Sequence, residues 1–178
     1  MKKSIVLFLL FTLTLTSFSQ EKTNETNKKN ELKLDVFDLA FFSALDVGYE
    51  NLFRDEMSFG LSMFINFKSS ETYYEKFALT PFYRFYFFNN QQKGGKGNYV
   101  EVFSKFASGN NLDLEYLNNS KLDDSYFDVN LGIAVGKKWI SNTGFVLEIS
   151  FGGGRNLGFS EASPEYAFRG GVSFGYRF

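Results

Sequence analysis

The stretch AFRGGVSFGYRF (Ala167–Phe178) ends the sequence and decides the fold. Its apolar positions are Phe168, Val172, Phe174, Tyr176 and Phe178, and its small or polar positions are Arg169, Gly171, Ser173, Gly175 and Arg177. Successive side chains of a β-strand point to opposite faces, so this alternation predicts a strand with one apolar face. A soluble sheet and a membrane sheet both show such alternation, and the choice between them depends on the rest of the chain.

The same alternation recurs upstream, between clusters of polar residues and glycine. We expect seven further strands, near Leu32–Leu39, Ala44–Leu52, Met57–Phe67, Phe77–Phe88, Asn98–Phe106, Tyr126–Lys137 and Phe145–Gly154. Pro81 cannot donate a hydrogen bond to a neighbouring strand, so a bulge is expected there. Each segment is close to the roughly 9–11 residues that cross a bilayer at a tilt. The sequence therefore predicts an all-β, eight-stranded antiparallel up-and-down transmembrane β-barrel.

The volume of the side chains on each face of the strands predicts which face points into the barrel. The interior of an eight-stranded barrel has room for roughly a dozen large side chains, whereas the apolar face carries roughly three dozen bulky residues. The apolar face is therefore expected to point outward, where only lipid tolerates so much hydrophobic surface. The inward face is rich in glycine, at Gly60, Gly132 and Gly136 among others, and this leaves room for charged side chains.

The inward charges form the candidate site. An isolated buried ion costs several kcal/mol, so these charges are expected to pair or to keep water. The predicted lumen charge network consists of Lys33, Asp35, Asp46, Glu50, Arg84, Glu101, Lys105, Asp128, Glu148, Arg169 and Arg177. Arg84, Glu148 and Arg169 are the residues to test for a narrow conduit or a small-ligand site, but lumens of this size are usually filled by side chains.

Composition excludes several chemistries. The chain has no cysteine and no histidine, which excludes disulfides, thiolate chemistry, a Ser–His–Asp triad and a His-ligated zinc site. A net charge of −1 provides no basic field for nucleic acid. We expect no catalysis, cofactor or metal. A lipid-modifying enzyme using the carboxylates of Asp128 and Glu148 is a less favoured alternative, and the acidic residues Asp113, Glu115, Asp123 and Asp124 match no calcium-loop spacing.

The amino-terminal segment resembles no part of a barrel. Met1–Lys3 is basic, Ile5–Phe18 is almost wholly apolar or threonine, and Ser17 and Ser19 provide small residues for a signal peptidase. We expect a secretory signal peptide over residues 1–19, cleaved near Ser19/Gln20 or Gln20/Glu21, with an uncleaved anchor helix as the alternative. Gln20–Asn30 contains no apolar residue and is expected to be a disordered tether before a barrel over residues 31–178.

Aromatic residues group by position along the predicted strands. If both termini of the barrel are periplasmic, one girdle consists of Tyr49, Phe85, Phe87, Trp139, Phe145, Tyr176 and Phe178, and the other of Phe67, Phe77, Phe106, Phe127, Phe151, Tyr166 and Phe168. The same orientation places three loops outside the cell: Lys68–Glu75 with Tyr73 and Tyr74, the acidic Ala107–Ser125, and Asn156–Glu165. These loops are candidate interaction surfaces.

Five segments carry a family resemblance: NELKLDVFDLAFFSALDVGYENLF (30–53), PFYRFYFF (81–88), YVEVFSKF (99–106), GKKWISNTGFVLEISFGGGRN (136–156) and SFGYRF (173–178). They resemble a small, uncharacterised, domain-of-unknown-function family of outer-membrane β-barrels from Bacteroidetes-type bacteria. The size and strand count are similar to those of OmpA- and OmpX-type barrels. The sequence has no counterpart of the peptidoglycan-binding domain of full-length OmpA, so cell-wall anchoring is not expected.

The resemblance implies export to the outer membrane of a Gram-negative cell and contact with its lipid. It also implies assembly by the barrel-assembly machinery, with Phe174, Tyr176 and Phe178 as the membrane-insertion signature. We expect a monomer with a structural or surface-interaction role. An unidentified extracellular partner, bound through the Ala107–Ser125 loop, fits this role, and no nucleic acid is expected.

Overall fold

The eight segments with alternating side chains form eight strands of one closed sheet. The computed structural model describes residues 28–67, 75–87, 94–110, 125–158 and 164–178. The strands are β1 (Asn30–Asp35), β2 (Ala44–Arg54), β3 (Met57–Asn66), β4 (Glu75–Phe87), β5 (Gly97–Asn110), β6 (Ser125–Ile140), β7 (Phe145–Asn156) and β8 (Tyr166–Arg177). Each strand pairs antiparallel with its neighbours in sequence, and β1 pairs with β8. The predicted eight-stranded antiparallel up-and-down barrel is confirmed.

Pairing of the first and last strands closes the barrel. Leu34 lies opposite Phe174, and the backbone amides of Asn30 and Phe178 donate to each other's carbonyl oxygens at 3.1 and 2.8 Å. The final strand is therefore not a sheet edge, and its polar backbone atoms have partners on both sides.

The two ends of the barrel differ in their connections. The "terminal end" holds Asn30, Phe178, the turn at residues 55–56, the strand ends Phe87 and Gly97, and the turn Ser141–Gly144. The "loop end" holds residues 36–43 and the strand ends Asn66, Glu75, Asn110, Ser125, Asn156 and Tyr166. At the tight β6–β7 turn, the Gly144 amide donates to the Ser141 carbonyl at 3.0 Å, and Gly144 adopts a φ of 96° that glycine tolerates without steric cost.

The first strand ends earlier than the sequence pattern indicates. The Asp35 carboxylate accepts from the backbone amides of Phe37 at 2.8 Å and Asp38 at 3.2 Å, which turns the chain out of the sheet. A π-helical turn, Asp38–Phe42, follows and ends at Ser43, whose φ of 55° is left-handed. The predicted strand Leu32–Leu39 was therefore wrong beyond Asp35, and Phe37, two residues after Asp35, is exposed.

The bulge predicted at Pro81 was also wrong. Leu79 lies opposite Phe106 and Phe82 opposite Phe103, so the register between β4 and β5 is the same on both sides of the proline. The missing amide costs one hydrogen bond but requires no extra residue. The register shift in this strand pair lies between Glu75 and Phe77 instead.

The apolar parity faces outward around the sheet. Phe59, Leu131 and Phe174 lie on three different strands and are 50%, 52% and 48% exposed. The residues of the two predicted aromatic girdles share this face, as Phe127 and Trp139 show, and some of them pack together, as Phe145 does with Tyr176 at a ring separation of 5.9 Å. A soluble core cannot form from side chains that point away from one another. Within the described parts of the chain, no helix is long and apolar enough to cross a membrane.

Candidate functional site: the charge network of the lumen

Aromatic rings share the lumen with the charged side chains. A Cβ atom added to several inward glycines would overlap a neighbouring ring, and the overlapping pairs are Gly60 with Phe82, Gly132 with Phe103 and Gly136 with Tyr99. These glycines were expected to make room for charges, but the rings occupy the space beside them. Phe82 and Phe103 pack with Ala134 as a small buried cluster over the neighbouring strands β4, β5 and β6.

Two glutamates hold the centre of the lumen. Lys33 Nζ lies 2.6 Å from Glu50 Oε2 and 2.8 Å from Glu148 Oε2. Arg84 bridges the same two carboxylates, with its Nη1 2.7 Å from Glu50 Oε2 and 2.8 Å from Glu148 Oε2. Tyr99 donates its hydroxyl to Glu148 Oε1 at 2.9 Å. These side chains come from five strands, so the cluster ties together opposite walls of the barrel.

Toward the terminal end, Lys138 extends the network. Its Nζ lies 2.8 Å from Glu50 Oε1 and 2.7 Å from Glu31 Oε2, and it donates to the Tyr86 hydroxyl at 2.5 Å. Arg177 then pairs with Glu31 through both Nε and Nη2. The carboxylate of Glu31 thus joins a cation from β6 to one from the last strand.

Toward the loop end, Glu101 continues the network. It accepts from Arg84 Nε at 2.6 Å and from Arg169 Nε. Arg169 also donates to the Ser62 hydroxyl at 3.0 Å. The Arg84 guanidinium lies 4.4 Å from the ring centre of Phe82 and 4.3 Å from that of Tyr99. Both rings therefore make cation–π contacts with it.

The network balances its charges almost completely. It contains five cations and four carboxylates: Lys33, Arg84, Lys138, Arg169 and Arg177 with Glu31, Glu50, Glu101 and Glu148. Each carboxylate accepts from at least two cations, as buried charges require. Such an arrangement locks side chains in place across the lumen. It offers no free carboxylate, among these four, for acid–base chemistry.

Four predicted lumen residues lie outside this network, nearer the loop end. Asp35 accepts from backbone amides and from Ser173 Oγ at 3.2 Å. Lys105 lies 2.7 Å from Glu75 Oε2, and Asp128 Oδ1 accepts from Asn156 Nδ2 at 2.7 Å. Asp46 lines a cavity of about 60 Å³ at this end. The predicted set is thus divided into a paired network and a more acidic group.

Two members of the network, Glu31 and Lys138, are not among the predicted lumen residues. Lys138 lies just beyond Lys137, where the sequence pattern predicts the end of β6. Extending the alternation from Ala134 and Gly136 by one step would have placed Lys138 inward and Trp139 outward, as the structure has them. Glu31 shares its parity with Lys33, but it was treated only as the first barrel residue.

Several predicted features lie outside the described residues. They are the signal peptide over residues 1–19, most of the predicted tether and part of the loop Asn156–Glu165. Also outside are Tyr73, Tyr74, Asp113, Glu115, Asp123 and Asp124, together with most of the two loops that carry them. The strands take Ala107–Asn110 and Ser125 from the predicted Ala107–Ser125 loop. Over the described ranges, no group of three or more Asp or Glu side chains is arranged to hold a metal ion.

Comparison with known proteins adds no relative. No family model, no curated protein and no solved structure matches the chain. The barrel and its lumen network therefore carry the functional interpretation.

Proposed function

We propose that the protein is a small outer-membrane β-barrel with a structural or surface-interaction role that its extracellular loops perform without catalysis. The observation that carries the proposal is the outward apolar face of a closed barrel whose interior is polar. Such a barrel inverts the arrangement of a soluble protein, and lipid is the solvent that suits it. The family resemblance to outer-membrane barrels of Bacteroidetes-type bacteria supports the same assignment.

The distribution of aromatic side chains supports a transmembrane orientation. Trp139, Phe145 and Tyr176 lie near the terminal end, and Phe127 and Phe168 lie toward the loop end, all pointing outward. Aromatic belts of this kind anchor barrels at the two membrane interfaces. The terminal end is then periplasmic and the loop end extracellular.

The lumen network argues against the two alternatives. Ion pairs cross the barrel at its centre, so a conduit would require several buried pairs to break at once. A lipid-modifying enzyme using Asp128 and Glu148 is not favoured either, because Glu148 is held by Lys33 and Arg84. Asp128 lies apart, bound to Asn156 near the loop end.

Cell fractionation tests the location. We expect the full-length chain, expressed in a Gram-negative host, to enter the outer-membrane fraction as a heat-modifiable barrel. Phe178→Ser should reduce the assembled fraction, because the insertion signature loses its last aromatic residue. Phe67→Ser is the matched control, since Phe67 is an equally outward aromatic residue outside the last strand. A water-soluble monomer from the periplasm would overturn the proposal.

A pull-down from intact cells tests the surface role. A tag placed in the loop between β5 and β6 is compared with a variant in which a two-residue Asn-Gly turn replaces residues 111–124. This variant should still form a heat-modifiable barrel. The loop takes no part in strand pairing, since β5 pairs through Gly97–Asn110 and β6 through Ser125–Lys138. Partners that disappear with the deletion identify the loop as the binding surface. Loss of the barrel itself would show that the loop is structural.

A further inference from the structure

We propose that the loop end of the lumen binds a hydrated divalent cation through side-chain oxygens of Glu75, Asp128 and Asn130. The proposal requires only the closed barrel and does not depend on the membrane location. No histidine or cysteine exists to form a conventional transition-metal site, so oxygen-binding cations are the relevant class.

Negative charge concentrates at the loop end. We define the "loop-end cup" as Asp35, Asp38, Asp46, Glu75, Lys105, Asp128 and Asn130. It contains five carboxylates, and Lys105 is its one cation. Arg169 lies nearby but is engaged by Glu101 and Ser62. A cation entering from the loop end would meet an attractive potential, strengthened by the low dielectric of the surrounding barrel wall.

Three oxygen atoms in the cup point to a ligand directly. Glu75 Oε1, Asp128 Oδ2 and Asn130 Oδ1 are buried and have no hydrogen-bond partner among the described residues. Asp128 is only 1% exposed and Asn130 only 3%. All three atoms are acceptors, so the group that satisfies them must bring positive charge or donors.

The strand register brings these oxygens to one region. Asp128 and Asn130 are successive inward residues of β6, and Lys105 lies opposite Asn130 on β5. Lys105 reaches Glu75 on β4 at 2.7 Å, which draws that carboxylate toward the same part of the lumen. The residue opposite Asp128 is Ala107, whose methyl group leaves space between β4 and β6. Asn156 holds one oxygen of Asp128, so the other is left for a ligand.

The donor set favours a cation that keeps much of its water. No three Asp or Glu side chains of the described ranges converge on one point, so the cup does not form a closed carboxylate cage. Mg²⁺ is commonly bound through one or two carboxylates and retains several waters, whereas Ca²⁺ takes six to eight protein and water oxygens. The adjoining cavity of about 60 Å³ has room for a few water molecules. Its wall includes Asp35, Asp38 and Asp46 together with the cations Lys33, Arg84, Lys105 and Arg169, and each of these cations is itself paired with a glutamate. Mg²⁺ is therefore the expected ligand.

Calorimetric titration of the full-length barrel tests the site. The protein is refolded in zwitterionic phosphocholine vesicles or, if it proves water-soluble, kept in buffer. It is then stripped with a chelator and titrated with MgCl₂ and separately with CaCl₂. We expect one saturable site that binds Mg²⁺, and Asp128→Asn should weaken its affinity at least about tenfold, as loss of a ligand charge does. Glu75→Gln, nearer the loop-end opening, should weaken binding in the same direction.

Glu165→Gln is the matched control, since it removes the same charge from an exposed residue at the same end of the barrel. Its affinity should equal that of the unaltered protein. If Asp128→Asn does not give a heat-modifiable barrel, Glu75→Gln decides the outcome. Absence of saturable binding would mean that water alone fills the space and would overturn the proposal. Equal weakening by Glu165→Gln would also overturn it, because diffuse surface charge would then explain the binding.

Discussion

At the scale of single residues, Glu50 organises the lumen. Its two oxygens accept from five side chains, those of Lys33, Ser58, Arg84, Tyr86 and Lys138. Glu50 is fully buried, so no water compensates for a missing partner. The sequence parity was sufficient to place this carboxylate inward, but its central position depends on which strands face each other.

Glu50→Gln should therefore strongly destabilise the barrel. The change leaves Lys33, Arg84 and Lys138 with less negative charge, and breaking a buried pair from one side typically costs about 3–5 kcal/mol. Urea unfolding in lipid vesicles, followed by Trp139 fluorescence, measures the free energy of unfolding. Glu56→Gln, in the exposed β2–β3 turn, should change it by less than about 0.5 kcal/mol. Equal effects of the two substitutions would contradict the central role of Glu50.

Asp38 makes stability depend on pH at the loop end. Burial, together with the nearby charges of Asp35 and Asp46, raises the pKa of Asp38 from 3.8 to about 7, and Lys105 opposes this only in part. Between these values the folded state binds more protons than the unfolded chain. This contribution to stability is therefore lost as pH rises from about 4 to about 7.

Asp38→Asn should remove that loss. The substitution should raise the free energy of unfolding at pH 8 relative to the unaltered protein, and the gain should shrink toward pH 4. Urea midpoints at several pH values, measured with a chelator present, give the comparison. Asp55→Asn, in the exposed turn at the opposite end, serves as the control. A gain that is the same at every pH would show that Asp38 does not titrate in this range.

At the scale of strands, close approach between neighbours depends on particular glycines. A Cβ atom at Gly132 would overlap the Phe103 ring and the backbone of Gly153 and Gly154, whereas one at Gly48 would lie 3.8 Å from Ser62 Cβ in ordinary contact. Both glycines are inward residues of extended strands, so they form a matched pair.

Gly132→Ala should destabilise the barrel by about 1–3 kcal/mol through overpacking. Gly48→Ala should be neutral or slightly stabilising, since alanine lowers the entropy of the unfolded chain. The same unfolding assay in lipid vesicles separates the two. If both substitutions are neutral, the β6–β7 wall can shift to admit a methyl group, and its tight packing is not required.

The strands differ in how well the sequence predicts them. Alternation located all eight, because a period of two is a local property that each strand carries by itself. Strand ends depend on single interactions: the Asp35 carboxylate ends β1 early, and the pair Lys137–Lys138 resembles a turn although β6 continues to Ile140. Which charged side chains pair with each other in the lumen could not be predicted from the local alternation of residues. Arg84 and Glu148 belong to strands that are not neighbours, and they meet only because the barrel closes.

At the scale of the whole molecule, the lumen network connects opposite walls of the barrel, and we expect it to close the lumen to ions. The ion pairs join non-adjacent strands, and the rings of Phe82 and Phe103 fill the level beside them. In planar lipid bilayers the unaltered protein should show no discrete channel events. Discrete events at any applied voltage would contradict a sealed lumen.

A double substitution tests whether the ion pairs provide the seal. Arg84→Ala with Glu148→Ala removes both members of a buried pair, so no unpaired charge is left from that pair and two long side chains no longer meet across the lumen. Water can enter the resulting gap, and we expect discrete conductance to appear. Arg155→Ala with Glu165→Ala is the matched control, because it removes a pair whose side chains are 74% and 62% exposed outside the lumen. If a folded Arg84/Glu148 variant shows no conductance, the rings of Phe82 and Phe103 close the lumen without the ion pairs. The network would then stabilise the barrel but would not seal it.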